Sequence, residues 1–189
     1  MMSYDAIVFD LFGVVCSEIA PYWLADYLSS AEALRVKKEV IGAADTGEIS
    51  QPALFERLSR LTGVPADQVE AQWWAYVQID TKVVALIRTL RARFKIGLLT
   101  NSPSPFCRRI LAEHELAGLF DAVVVSSEHR VAKPDRKIYE VVLSELGVQP
   151  AEALMIDDNP ANVGGAIAAG MRGLLFHSYE ELQRAVASR

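Results

Sequence analysis

Residues 7–15 read IVFDLFGVV, an apolar run that is interrupted by Asp10 and turns at Gly13. The run before Asp10 is short, continuous and bounded by acidic residues, which is typical of a strand buried on both faces of a parallel sheet. A single aspartate at a strand end is most often a helix cap or a turn residue. We predict a central strand here and treat Asp10 as a candidate for chemistry, to be judged by its partners.

The rest of the chain changes character twice. From about residue 19 to residue 78 apolar residues recur at helical spacing, and no strand pattern is visible. From residue 82 onward helical and strand patterns alternate, and one of the helices is expected to begin at Pro134. The further strands are predicted near residues 94–99, 122–125, 153–156 and 173–176.

This order of elements predicts an α/β fold. We expect a Rossmann-like, doubly wound and mostly parallel sheet, with a small all-helical cap inserted after the first strand. The predicted core comprises residues 1–16 and 81–189, and the predicted cap comprises residues 17–80. In such a sheet, ligands bind beyond the carboxyl ends of the strands.

Polar residues stand at those strand ends. Asp10, Thr100 and Asp157 each follow an apolar strand directly, and Lys133 comes just before a predicted helix. Because parallel strands end at one edge of the sheet, we expect these side chains to lie together. Asp10, Asp157 and Asp158 would repel one another there unless a hard cation lay among them, and Mg²⁺ suits an all-oxygen site.

Four segments carry a family resemblance in the family's order. They are FDLFGVV (residues 9–15), LLTNS (98–102), KPDRKIY (133–139) and MIDDNPANVGGA (155–166). Together they resemble the motifs of the haloacid dehalogenase (HAD) superfamily of aspartate-nucleophile hydrolases. The helical insertion is similar to the small cap of the subgroup that contains sugar-phosphate phosphatases and the amino-terminal phosphatase domain of soluble epoxide hydrolases.

The resemblance implies a Mg²⁺-dependent phosphatase that forms an aspartyl-phosphate. Its substrate would be a small phosphorylated metabolite, for which a sugar phosphate is one candidate. Asp10, Thr100 and Lys133 are the implied catalytic residues. The implied metal ligands are Asp10, Asp158 and the backbone carbonyl of Phe12, with Asp157 as an outer-shell or variable ligand. The implied phosphate-binding groups are the Thr100 hydroxyl, the Asn101 amide and the Lys133 ammonium.

Phe12 departs from the phosphatase pattern. Phosphatases of this family usually have a second aspartate there, which protonates the leaving oxygen and later activates water. A phenyl ring does neither, and losing a general acid/base typically costs about 10²–10⁴ in rate.

Three hypotheses follow from Phe12. The first is a phosphatase that uses a good leaving group or takes an acid/base from the cap, and Glu48 is a candidate for a cap residue that faces the site. The second is a metal-independent 2-haloacid dehalogenase, with Arg35 as a candidate substrate-binding residue. The third is a non-catalytic homologue that binds phosphorylated ligands or proteins.

The composition of the chain argues against two classes of partner, nucleic acids and membranes. The chain has 189 residues and a net charge of −5, so it lacks the basic footprint that nucleic-acid binding requires. No stretch approaches the roughly 18 apolar residues of a membrane span, and residues 1–5 show no basic signal-peptide region. The two cysteines form no CxxC pattern. We expect a cytoplasmic protein that binds a small molecule, and the oligomeric state stays open.

Overall fold

Strand β1 (Ala6–Phe9) lies at the centre of a parallel sheet in the computed structural model, which describes residues 4–187. It pairs with β2 (Lys95–Thr100) on one side and with β4 (Ala153–Asp157) on the other, and all its residues are fully buried. β3 (Ala122–Val125) and β5 (Arg172–Leu175) form the edges, which gives the order β3-β2-β1-β4-β5 with every pair parallel. The Rossmann-like α/β fold is confirmed.

Residues 17–80 are helical where the sequence predicts a cap. The elements of this insertion are α1 (Ala20–Tyr27), α2 (Ser30–Val36), a π-helix (Lys37–Ile41), α3 (Gly42–Asp45), α4 (Gln51–Thr62) and α5 (Ala66–Ala75). Local signals fix several of their ends. The Ser50 side chain caps α4, and Gly63 ends it with a φ of 78°. The assignment of residues 1–16 and 81–189 to a core and of 17–80 to a cap stays a prediction.

Two connecting segments, one before and one after the inserted helices, are hydrogen-bonded to each other. The Ser17 amide donates to the Gln78 carbonyl, and the Asp80 amide donates to the Val15 carbonyl, both at 2.9 Å. These bonds tie the two connections of the insertion to each other. The insertion is therefore held beside the carboxyl end of β1, where Asp10 lies.

Helices cover both faces of the sheet. They are α6 (Thr81–Leu90), α7 (Ser104–Glu113), α8 (Ser126–His129), α9 (Arg136–Leu146), α10 (Pro160–Ala168) and α11 (Tyr179–Ala187), with 3₁₀ turns at Ala117–Leu119 and Pro150–Glu152. Ile7 and Phe9 belong to the hydrophobic core on one face, and Val8 belongs to the core on the other. Trp23 and Leu54 of the insertion join the first of these cores, so the inserted helices share their packing with one face of the sheet.

One helix begins later than predicted. The helix expected from Pro134 begins at Arg136, because the Asp135 side chain accepts a hydrogen bond from the Lys137 amide at 2.9 Å and caps it there. Pro134 precedes the cap and is joined to Lys133 by a cis peptide bond. The short helix α8 was not predicted.

Within residues 4–187, no helix combines the length and the apolar character needed to cross a membrane. The prediction that no signal peptide is present rests on residues 1–5, and residues 1–3 lie outside the part of the chain that the structure describes.

Candidate active site

The predicted polar residues converge at the carboxyl edge of the sheet. Asp10 follows β1 directly, and its amide donates to the Ile156 carbonyl of β4 at 2.9 Å. Thr100 ends β2 and Asp157 ends β4. Lys133 reaches the same place from the connection between α8 and α9. Parallel strands bring these residues together although they are far apart in the sequence.

Three carboxylates and one ammonium group form the centre of the site. Oxygens of Asp10, Asp157 and Asp158 lie within 4.8 Å of one another. The Lys133 Nζ is 2.8 Å from Asp10 Oδ2 and 2.6 Å from Asp157 Oδ2, and the Lys133 side chain is fully buried. The Leu11 amide donates to Asp10 Oδ1 at 2.7 Å. The carboxylate of Asp10 is thus held at both oxygens by fixed donors.

Both carboxylate oxygens of Asp157 accept hydrogen bonds from groups of the protein. Besides the Lys133 ammonium, it accepts a hydrogen bond from the Asn159 amide at 2.9 Å, and the Asn162 side-chain amide lies 3.1 and 3.2 Å from its two oxygens. Asn162 is nearly buried and was missed in the sequence. Asn162 could have been predicted from its position, because a residue on the first turn of a helix that follows a strand lies near the end of that strand, here Asp157.

Negative charge exceeds positive charge in this buried cluster. Burial, followed by the charge of Asp157, raises the pKa of Asp10 well above its ordinary value, although Lys133 acts against this. Burial and then Asp157 also raise the pKa of Asp158. Burial alone would lower the pKa of Lys133, but the charges of Asp10 and Asp157 raise it.

The donor set fits a divalent cation. One buried ammonium faces three carboxylates, and a dication would offset the charge that remains. All candidate ligands are oxygens, which Mg²⁺ prefers. Asp157 has both oxygens engaged by protein donors, so Asp10 and Asp158 are the carboxylates better placed to bind a metal directly.

Thr100 and Asn101 complete the polar floor. The Thr100 hydroxyl is fully buried and has no hydrogen-bond partner in the described part of the chain. The Asn101 amide group donates to the Lys133 carbonyl at 3.0 Å, and its oxygen accepts from the Lys133 amide at 2.9 Å. Asn101 therefore clamps the backbone of Lys133 and keeps one amide hydrogen for a ligand.

A cavity of about 130 Å³ opens above these groups, between the sheet edge and the inserted helices. Phe12 lies in its wall, half-buried, with its ring stacked on that of Phe106 at 6.4 Å between centroids. Phe106 in turn contacts the ring of Trp73 at 5.8 Å, and all three rings line the cavity. One wall of the site is therefore aromatic.

The lining of the cavity also carries charged residues that were not predicted from the sequence. Glu18, Lys37 and Asp45 line the same cavity as Asp10 and Asp158. The sequence contains a pattern that places Lys37 and Asp45 together. Lys37, Ile41 and Asp45 follow one another at intervals of four residues and so share one helix face.

Glu48 and Arg35, which the sequence suggested, do not line this cavity. The Glu48 side chain is exposed. Arg35 is exposed on α2, where it lies 3.9 Å from Glu39.

Gly13→Ala is expected to displace Asp158. Gly13 has a φ of +79°, and a Cβ there would lie 2.3 Å from Asp158 Oδ2. We expect the free energy of unfolding to fall by roughly 1–3 kcal/mol from strain at this position. We also expect Mg²⁺ to raise the melting temperature less than in the unchanged protein, as measured by thermal unfolding with and without the ion.

Gly63→Ala is the matched control for this substitution. Gly63 has nearly the same φ, +78°, but no atom lies within 4 Å of its Cβ position. It therefore reports backbone strain alone. An undiminished Mg²⁺ response in Gly13→Ala would contradict the placement of Asp158 at the metal.

Comparisons with known proteins identify the family of this chain. A family model described as haloacid dehalogenase-like hydrolase matches residues 4–170. A sesquiterpene phosphatase from Aspergillus oryzae is 27% identical over 180 residues, which cover 91% of this chain and 89% of that protein.

Two solved structures match the fold over almost the whole chain. A HAD family enzyme from Bacteroides thetaiotaomicron, solved with magnesium and inorganic phosphate, has a TM-score of 0.78 at 20% identity and covers 95% of this chain and 99% of its own. A structure described as a dehalogenase has a TM-score of 0.78 at 18% identity and covers 100% of both chains. At such identities the likeness shows the fold alone.

Proposed function

The chain belongs to the haloacid dehalogenase-like hydrolases, and on this premise we propose that it is a Mg²⁺-dependent phosphatase that hydrolyses a small phosphate monoester through an aspartyl-phosphate on Asp10. One observation carries the proposal. The carboxylate of Asp10, fixed by Lys133 at 2.8 Å, lies with Asp158 at the floor of a cavity large enough for a phosphoryl group.

Asp10 is the nucleophile in this proposal. One carboxylate oxygen attacks phosphorus, the bond from phosphorus to the ester oxygen breaks, and the phosphoryl group is left on Asp10. Water then attacks the same phosphorus and releases inorganic phosphate. The Leu11 amide and the Lys133 ammonium hold the carboxylate, so little reorientation is needed before attack.

Three further groups would bind the phosphoryl oxygens. The Lys133 ammonium offsets their charge, and the unpartnered Thr100 hydroxyl supplies a buried donor. Asn101 contributes its remaining amide hydrogen while it clamps the Lys133 backbone. Fixed donors of this kind stabilise the charge that spreads over the equatorial oxygens during phosphoryl transfer.

Asp10, Asp158 and the Phe12 carbonyl would hold Mg²⁺, with Asp157 in the outer shell. Bound Mg²⁺ supplies positive charge that neutralises the carboxylates and the transferring phosphoryl group. The contacts of Asp157 with Lys133, Asn159 and Asn162 support its outer-shell assignment, because they leave its oxygens committed to protein donors.

The aromatic wall favours an ester whose organic group is apolar next to the ester oxygen. Phe12, Phe106 and Trp73 offer apolar contact to such an organic group. The similarity to a protein named as a sesquiterpene phosphatase points the same way. We therefore propose hydrocarbon phosphates ahead of sugar phosphates.

A dehalogenase is the second candidate, and Phe12 is the observation that favours it, because halide departs without a proton. The carboxylate cluster of Asp10, Asp157 and Asp158 opposes it, since metal-independent displacement has no use for these charges. Arg35 lies outside the cavity. A non-catalytic binding role leaves the fixed geometry of Asp10 without a purpose.

Phosphate release is the test of the proposed function. The purified protein is assayed against short-chain alkyl, prenyl and aryl phosphates and against sugar phosphates, with Mg²⁺ and with chelator. We expect Mg²⁺-dependent release, greatest for the apolar esters. Chelation should lower the rate by roughly 10² or more, because the ion's charge stabilisation amounts to several kcal/mol.

Failure to release phosphate from any of these compounds in Mg²⁺ would sink the phosphatase proposal. Halide release from 2-haloacids that persists in chelator would establish the dehalogenase instead. A preference for sugar phosphates would keep the phosphatase and reject only the apolar substrate.

A further inference from the structure

The residues at the carboxyl edge of the sheet, among those that the structure describes, include no free group that can protonate the departing ester oxygen. Position 12 is a phenylalanine whose ring packs on Phe106. Lys133 is committed to Asp10 and Asp157, and its pKa is raised, so it does not give up a proton readily. Any general acid must come from elsewhere in the cavity.

Asp45 is a further carboxylate in the lining of this cavity. It is the last residue of α3 and lines the same cavity as Asp10, Phe12 and Asp158. Within residues 4–187 its carboxylate takes part in no ion pair and no side-chain hydrogen bond. Its oxygens are therefore available to a ligand in the cavity.

Residues of α8 hold the backbone at Asp45 in place. The Ser126 hydroxyl donates a hydrogen bond to the Asp45 carbonyl and accepts one from the Ser102 amide at 3.0 Å. Two residues beyond Asp45, a Cβ at Gly47 would lie 2.7 Å from the Ser127 carbonyl, so the two backbones approach closely. Ser126 thus joins the Asp45 corner of the insertion to the loop that follows Thr100.

We propose that Asp45 is the general acid and base of this enzyme and takes over the task that Phe12 cannot perform. The inference rests on the proposed phosphatase function. As Asp10 attacks phosphorus and the ester bond breaks, the Asp45 carboxyl gives its proton to the leaving alcohol oxygen. The Asp45 carboxylate then takes a proton from the water that attacks the phosphoryl group on Asp10. Alcohol and phosphate leave, and both aspartates return to their starting states.

The electrostatic surroundings of Asp45 suit this exchange. Burial raises the pKa of Asp45 to about 7, with a further rise from Glu18 and opposing effects from Lys37 and Lys133. These charged groups face it from the segment after β1, from the π-helix and from the connection before α9. An acid whose pKa lies near the working pH can both donate and accept a proton in one cycle.

Glu18 is the competing carboxylate in the cavity, and its surroundings differ. Burial raises its pKa, and Asp158 and Asp157 are among the charges that raise it further. Glu18 also lines a second cavity with Gly13 and Asp158, which Asp45 does not line. The pKa of Asp45 is instead affected mainly by its burial and by the charges of Lys37, Lys133 and Glu18.

Asp45→Asn tests the inference through the leaving group. With an alkyl phosphate, whose alcohol needs a proton, we expect kcat/KM to fall by about 10²–10⁴. With dinitrophenyl phosphate, whose phenolate leaves unprotonated, we expect formation of the phosphoenzyme to change less than tenfold. In the unchanged protein, kcat/KM for the alkyl ester should decline above a pH near 7, and the variant should lose this limb.

Three variants accompany it. Glu48→Gln changes an exposed acid of the same corner and should leave both substrates unaffected. Glu18→Gln should not reproduce the dependence on the leaving group. Phe12→Asp, introduced into Asp45→Asn, should raise the remaining alkyl phosphatase activity at least tenfold, because it places a carboxyl group at the position of Phe12 in the cavity lining.

Stability separates chemistry from folding. Because the pKa of Asp45 is raised, its contribution to stability is present at low pH and is lost as the pH rises through about 7. Asp45→Asn should therefore melt no lower than the unchanged protein at pH 8, although it is less active.

Equal losses with both substrates, or no loss with the alkyl ester, would overturn the assignment of Asp45. If the unchanged protein shows no turnover that Asp10→Asn removes, both the proposed function and this inference are wrong.

Discussion

Asp10→Asn is expected to lower phosphatase turnover by a factor on the order of 10⁴ or more, because an amide cannot form the aspartyl-phosphate. The substitution keeps the size of the side chain and an oxygen for the Leu11 amide, which now donates to Asp10 at 2.7 Å. The measurement is the initial rate of phosphate release in Mg²⁺. After acid quenching during turnover, the unchanged protein should carry a covalently bound phosphoryl group, and Asp10→Asn should carry none.

The folded state should tolerate this change. Burial holds the pKa of Asp10 well above its ordinary value, so the stability associated with this group is lost as the pH rises. Removing the charge relieves the cluster, and the melting temperature in chelator at neutral pH should not fall. Asp5→Asn, at the exposed opposite end of β1, is the control and should keep full activity. Activity of Asp10→Asn within tenfold of the unchanged protein would exclude Asp10 as the nucleophile.

Lys133→Met is expected to cost both activity and stability. The ammonium is fully buried between Asp10 and Asp157, at 2.8 and 2.6 Å. Removing one partner of a buried ion pair leaves uncompensated charge, which destabilises folded proteins by about 3–5 kcal/mol. The loss of one donor to the transferring phosphoryl group should lower kcat by a further factor of roughly 10²–10³.

The pH and the metal ion should modulate this loss of stability. As the pH falls, the carboxylates of Asp10 and Asp158, whose pKa values are already raised, take up protons and the penalty shrinks. Mg²⁺ should also reduce it, because the ion replaces part of the missing positive charge. Denaturant unfolding at several pH values, with and without Mg²⁺, measures both effects.

Lys137→Met is the matched control, because Lys137 is exposed on the first turn of α9. It should change neither activity nor stability measurably. A Lys133→Met variant as stable as this control at pH 8 in chelator would show that the three carboxylates do not depend on the ammonium.

The sequence was sufficient for the sheet and for the floor of the site. A strand buried on both faces has a continuous apolar pattern, so β1, β3 and β4 were recognisable locally. Parallel strands end at one edge, and for that reason Asp10, Thr100 and Asp157 were expected to meet. The alternation of helices and strands along the sequence predicts a parallel sheet, and the convergence of these residues follows from that topology.

The sequence was less informative about hydrogen-bond partners. Asn101 was expected to bind a phosphoryl oxygen, and the structure shows it clamping the backbone of Lys133 as well. Asn162 was overlooked, although it holds both oxygens of Asp157. Such partners depend on the exact direction of a side chain, which no spacing rule specifies.

The sequence by itself determined which residues stand at the carboxyl edge of the sheet, because strand periodicity and chain order are local properties. Only the tertiary structure decided what faces them. Glu48 was the acidic residue of the insertion that the sequence suggested would face the site, yet Asp45 lines the cavity and Glu48 does not. The Ser126 hydroxyl, 81 positions further along the chain, helps to fix that choice by donating to the Asp45 carbonyl. Docking of the inserted helices depends on such long-range contacts, which helical periodicity does not encode.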